Sequence, residues 1–126
     1  MRIDVLGVGF DNCTMDQAVA EGIRLMGDGG CHYVVTPNPE IVEMCREDEE
    51  VRRIINGADL VLPDGVGVIY AARMLGTPLK EKVPGVDFAQ KLMASMAGSG
   101  KTLFLLGAKP GVAEEAGRRL EAAYPG

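Results

Sequence analysis

Cys31-His32-Tyr33-Val34-Val35-Thr36-Pro37-Asn38-Pro39-Glu40 carries the decision about the fold. Its first half is rich in β-formers and reads as a parallel strand, Cys31 to Thr36, covered on both faces. Pro37 and Pro39 end that strand. Pro39 also suits the first position of a helix whose Ile41, Met44 and Cys45 share one face. Asp48 can cap a second helix carrying Val51, Ile54 and Ile55. A strand that runs straight into helices is the unit of an α/β fold.

The same alternation continues in both directions. Upstream, Arg2 to Val8 is a short apolar run closing in Gly7-Val8-Gly9, which predicts a buried strand and a tight turn. Thr14-Met15-Asp16-Gln17 has capping-box spacing, and Met15, Ala18, Val19, Ile23 and Met26 line one face of a helix that stops at Gly27 and Gly29-Gly30. Downstream, Asp59 to Pro63 is a third strand, followed by Asp64-Gly65 and an apolar helix from Val66 to Leu75 closed by Gly76. Thr77 to Lys82 is a polar loop. A helix from Val86 presents Phe88, Leu92 and Met96, Lys101 to Leu106 is a fourth strand, and Pro110 to Tyr124 a last helix on Val112, Ala116 and Leu120. Strands separated by helices imply right-handed crossovers and a mainly parallel sheet with flanking helices. No internal repeat or linker interrupts the 126 residues, so one domain is expected.

Composition excludes several functions. Thirteen Lys and Arg against eighteen Asp and Glu give a net charge of −5, which offers no basic field to hold nucleic acid. Aromatics are 5% with no Trp, so stacking platforms for single strands are missing as well. No apolar run approaches the ~20 residues of a membrane span, and the longest, Gly65 to Ala72, is bounded by Asp64 and Arg73. An acid at Asp4 speaks against a signal peptide. Cys13, Cys31 and Cys45 are odd in number and lack C-x-x-C spacing, which fits a reducing cytosol and no zinc site.

Three glycine-rich stretches invite a nucleotide. Gly98-Ser99-Gly100-Lys101-Thr102 lacks the first glycine of a P-loop, since Ser95 stands there, and it ends a helix where a P-loop would open one. Gly7-x-Gly9-x-x-Asn12 is a dinucleotide fingerprint without its third glycine, and Thr36 occupies the end of the second strand where an acid would hold a ribose. Gly107-Ala108-Lys109-Pro110-Gly111 lies between a strand and a helix start, where free amides favour an anion; an ordinary βα turn is the alternative. The loops Thr36-Pro37-Asn38-Pro39-Glu40 and Leu62-Pro63-Asp64-Gly65 are richer. Each alone is a rigid bend or turn. Together they bring a hydroxyl, an amide and a carboxylate to one rim of a sheet, where an alcohol can be bound and deprotonated.

Val34-Val35-Thr36-Pro37-Asn38-Pro39-Glu40, Ala58-Asp59-Leu60-Val61-Leu62-Pro63-Asp64-Gly65-Val66-Gly67, Val83-Pro84-Gly85-Val86-Asp87 and Phe104-Leu105-Leu106-Gly107-Ala108-Lys109-Pro110-Gly111-Val112-Ala113-Glu114 resemble the WecG/TagA/CpsF glycosyltransferases in motif, order and spacing. The resemblance covers essentially the whole chain and is strongest to the wall teichoic acid branch. It implies a Rossmann-like α/β domain and inverting transfer of N-acetylmannosamine from UDP to the N-acetylglucosamine of an undecaprenyl diphosphate carrier, at the cytoplasmic membrane face. It implies Asp64 as general base, Thr36 and Asn38 in the pocket, Gly65 and Lys82 beside them on the substrate, and Gly107, Lys109 and Gly111 on the nucleotide. No D-x-D occurs, in keeping with a metal-independent family that uses no cofactor.

Family members commonly carry arginine before V-P-G; Lys82 keeps the charge but not the bidentate fork. They are also substantially longer, so the resemblance implies a C-terminal part beyond this chain that completes the pocket and meets the membrane. The apolar Val66 to Leu75 helix is either core or a homo-oligomer interface. Two other readings fit the sequence: a nucleotide-dependent oxidoreductase resting on Gly7 and Gly9, and a non-catalytic sugar-nucleotide-binding module.

Overall fold

A computed structural model describes residues 1–126. The chain is mixed α/β, with six helices and two two-stranded ladders, and it forms two compact units, Met1–Ala89 and Gln90–Gly126.

In the first unit, β1 (Arg2–Val5) and β2 (Val8–Asp11) make an antiparallel hairpin in which Val5 faces Val8. The single buried strand predicted over Arg2 to Val8 is therefore corrected to the first arm of this hairpin. Leu6 and Gly7 form its two-residue loop with φ of 52° and 94°, the positive values that a type I′ turn demands. The alternating burial of Ile3, Val5, Val8 and Phe10 shows one face of the hairpin turned into the core. Asn56 holds the turn from outside, its Nδ2 donating to the Gly7 carbonyl and its Oδ1 accepting from Gly9 N. A dinucleotide fingerprint needs its glycines between a strand and a helix, and here they lie within a hairpin.

α1 (Met15–Gly27) opens with the expected capping box: Gln17 N donates to Thr14 Oγ1, and Thr14 N to Gln17 Oε1. β3 (Val34–Val35) leads to α2 (Pro39–Glu47), and Asp48 then caps α3 (Glu49–Asn56) by accepting from Glu50 N and Val51 N. β4 (Leu60–Val61) pairs with β3 in parallel, Val34 opposite Leu60 and Val35 opposite Val61. α4 (Val66–Met74) and the start of α5 (Gly85–Met96) follow. The core is built from the hairpin, Val42 and Cys45 of α2, Val61, Val68 and Ala72 of α4, and Leu79.

Behind the two parallel strands, His32 is held between carboxylates. Its Nε2 lies 2.8 Å from Asp28 at the end of α1, and its Nδ1 lies 3.0 Å from Asp59 just before β4. Carboxylates only accept, so both ring nitrogens can donate to them at once only when the imidazole is doubly protonated, and the two contacts favour that cation. The hydrogen bonds to Asp28 and then Asp59 raise the His32 pKa above its ordinary value.

The second unit contains the rest of α5 and α6 (Val112–Ala123). The fourth strand predicted over Lys101 to Leu106 is not formed: the segment joins no ladder, and Leu103, Phe104 and Leu106 stand 48%, 84% and 92% exposed. A strand needs a paired neighbour, and the second unit contains no strand. Of the mainly parallel sheet expected from the sequence, the structure thus contains one parallel ladder, β3–β4, and one antiparallel ladder, β1–β2.

Candidate active site

The parallel register brings two loops out of the sheet side by side. Leu62 N donates to the Val35 carbonyl at 2.9 Å, so Thr36 and Pro63-Asp64 leave the ends of β3 and β4 together. In parallel sheets this carboxyl edge is where ligands bind. Asn38 caps α2, accepting from Ile41 N through Oδ1 at 3.0 Å, and Pro39 occupies the first helical position.

Two glycines let the start of α4 come close to α2. Gly65 precedes the helix with φ of 95°, a conformation that L side chains avoid. A Cβ on Gly67 would come within 2.7 Å of Pro39 Cγ. The first turns of the two helices therefore touch through a position with no side chain.

α5 completes the arrangement. Val83 is fully buried, and its N–H donates to the Pro63 carbonyl at 2.7 Å. Two residues later Gly85 N donates to Asp64 Oδ2 at 3.3 Å, and a Cβ on Gly85 would stand 3.0 Å from Thr36 Cγ2 and 3.2 Å from Thr36 Oγ1. The half-buried Asp64 carboxylate, Thr36 and Asn38 thus share a rim where α2, α4 and α5 all begin. Helix starts present unpaired amides and the positive end of the helix dipole, which favours phosphate. Lys82 is exposed on the segment leading into this rim, next to Val83.

The structure brings Asp64, Gly65, Thr36 and Asn38 together, with Lys82 on the adjoining segment. Gly107, Lys109 and Gly111 belong to the second unit, in an exposed turn before α6 where Gly107 and Gly111 take φ of 118° and 87°. Val112 N donates to the Lys109 carbonyl within that turn. A cavity of about 720 Å³ in the same unit is lined by Met93, Met96, Leu103, Leu105, Leu120 and Tyr124, among others. Its lining includes none of Asp64, Gly65, Thr36, Asn38, Lys82, Gly107, Lys109 and Gly111. Sequence reasoning missed the Gly85 amide as a partner of Asp64; the V-P-G motif was visible, but nothing in it tells which atom the glycine would meet.

A model of the glycosyl transferase WecG/TagA/CpsF family matches residues 3–126. The chain belongs to that family. Among curated relatives, the N-acetylglucosaminyldiphosphoundecaprenol N-acetyl-beta-D-mannosaminyltransferases of Staphylococcus aureus strains NCTC 8325 and COL are each 33% identical to it over 126 residues, 98% of this chain and 50% of theirs. This WecG/TagA/CpsF chain spans about half the length of the curated relatives it matches. No helix in it is long and apolar enough to cross a membrane.

Proposed function

We propose that the Asp64 rim is the active site of an inverting glycosyltransferase that moves N-acetylmannosamine from UDP to the N-acetylglucosamine of an undecaprenyl diphosphate carrier, in teichoic acid or surface polysaccharide synthesis. The observation that carries this reading is the placement of one carboxylate beside Thr36 and three helix starts, in a chain of this family. The names of the relatives supply the donor sugar and the lipid-linked acceptor.

Asp64 takes the proton from the acceptor hydroxyl as its oxygen attacks the anomeric carbon. The new glycosidic C–O bond forms on the face opposite UDP while the bond to UDP breaks, and UDP leaves with that electron pair. The proton on Asp64 then passes to solvent. One carboxylate suffices because inversion needs no covalent intermediate. Thr36, Asn38 and Gly65 hold the sugar, and Lys82 with the helix starts meets diphosphate charge. Gly107, Lys109 and Gly111 contact the nucleotide through free amides and the lysine ammonium. With no D-x-D pair in the sequence, the reaction proceeds without a divalent metal.

In this reading residues 1–126 belong to a single glycosyltransferase domain of Rossmann-like type; the family match over residues 3–126 supports its being one domain. The whole protein works at the inner face of the membrane as a peripheral enzyme, because its acceptor is lipid-linked. The test is a donor screen on the whole protein with an N-acetylglucosaminyl diphosphate lipid, read by UDP release. UDP-N-acetylmannosamine is expected to be turned over, and release of no UDP from any sugar donor contradicts the reading.

A further inference from the structure

The segment between α4 and α5 crosses the molecule as a strap tied at both ends. At its far end Leu79 is buried in the core, Lys80 N donates to Asn12 Oδ1 at 2.8 Å, and Glu81 Oε1 accepts from Met15 N at 3.1 Å. At its near end Val83 N bonds the Pro63 carbonyl and Gly85 N bonds Asp64. Lys82 stands between the two sets of ties. Asn12 and Met15 flank Thr14, the cap of α1, and Met15 N is one of the first-turn amides that no carbonyl of its own helix can accept. Asn12 fills the place of the missing third glycine in the Gly7-x-Gly9 stretch, and its side chain is used here as a strap anchor.

The geometry leaves the strap little freedom. Lys80 is fixed on Asn12, just ahead of α1, and Glu81 on Met15, the first residue of α1; only Lys82 separates them from Val83, so a shift at one anchor passes along a short chain to Gly85 and Asp64. We propose that Asn12 and Glu81 are positioning residues of the Asp64 site: by clamping the strap to the start of α1, they set where Lys82 stands and where the Gly85 amide meets the Asp64 carboxylate. They touch neither substrate nor each other's target, and act through Lys80, Val83 and Gly85. This inference rests on the proposed function only for its consequence in turnover. The clamp itself is a statement about this chain.

The experiment pairs each disruptive change with one that keeps the acceptor oxygen: Asn12→Ala with Asn12→Asp, and Glu81→Ala with Glu81→Gln. Amide hydrogen exchange is followed at Val83 and Gly85, with Val61 and Leu62 as internal references. Each alanine variant is expected to speed exchange at Val83 and Gly85 by roughly three- to tenfold, the worth of one hydrogen bond, with the references unmoved and the partner variant restoring the original rate. In the whole enzyme the same alanine changes should lower kcat and kcat/KM together, again restored by Asn12→Asp and Glu81→Gln. Unchanged exchange at Val83 and Gly85 in the alanine variants overturns the proposal, as does acceleration spread equally over the reference amides. Wild-type protein that transfers no sugar contradicts the proposed function instead, and the exchange rates still decide the clamp.

Discussion

The backbone N–H of Gly85 reaches Asp64 Oδ2 across twenty-one positions of sequence, at 3.3 Å. A glycine at the start of α5 serves the carboxylate in two ways. Its amide orients one oxygen, and its missing Cβ lets Thr36 sit against the same turn. In the proposed mechanism the other carboxylate oxygen takes the proton.

Replacing Gly85 with alanine separates these roles from helix propensity. In a helix the change ordinarily stabilises by about 0.5–1 kcal/mol. Here the new methyl would press on Thr36 at 3.0–3.2 Å, so Thr36 must move by a few tenths of an ångström. Thermal unfolding should shift little, while transfer falls by about tenfold or more, since small displacements of positioned groups cost rate steeply. Circular dichroism melts beside UDP-release rates check both halves.

Asn38 has a structural duty that its sequence role does not reveal. Its Oδ1 caps α2, and in the proposed function Nδ2 is the group that meets substrate. Asn38→Ala should therefore lose about 1 kcal/mol of stability as well as activity. Asn38→Asp keeps the cap and removes the amide donor, so it should unfold like wild type yet transfer poorly. Urea titration and turnover of the two variants distinguish cap from contact.

His32 makes stability depend on pH with a defined sign. Its folded pKa is raised, first by Asp28 and then by Asp59, so its contribution is fully present below the ordinary value of 6.5 and is lost as pH rises through the higher folded value. The charged groups that act on the imidazole are Asp28 and Asp59, and their lowered pKa values place their own losses far below this window, in acid. Denaturant midpoints measured from pH 6 to 9 should fall for wild type and stay flatter for His32→Gln. Parallel curves would remove His32 from the pH dependence.

Chelation tests the reading of the missing D-x-D. Turnover by the whole enzyme in excess EDTA should match that in magnesium. Abolition by EDTA and recovery on titrating Mg²⁺ or Mn²⁺ would mean that a metal, not helix starts and lysines, meets the leaving-group charge.

The helices were legible because their signals are local. Thr14 and Gln17 box the start of α1, Pro39 opens α2, Asp48 caps α3, and each acts within a turn of its own position. The hairpin was not, because its turn is Leu6-Gly7, and leucine at a positive φ lacks the Asn-Gly or Asp-Gly spelling by which such turns are recognised. Gly7 and Gly9 then resembled a phosphate loop. Lys101 to Leu106 is as apolar as a buried strand, but whether it pairs depends on a partner that no local pattern specifies. At the site, Asp64, Thr36 and Asn38 stood out as polar groups at strand ends. The contacts of Asp64 and Thr36 with Gly85, and the anchoring of the strap at Asn12 and Glu81, join residues up to 68 positions apart and leave no trace in spacing.

Asp64→Asn in the whole enzyme tests the central claim most directly, because the amide oxygen can still accept from Gly85 N while the side chain can no longer take a proton. Transfer from UDP-N-acetylmannosamine to the lipid-linked acceptor should fall by about 10²–10⁴, with UDP binding retained. A variant that binds UDP and keeps most of its wild-type turnover would contradict the assignment of Asp64 as the base.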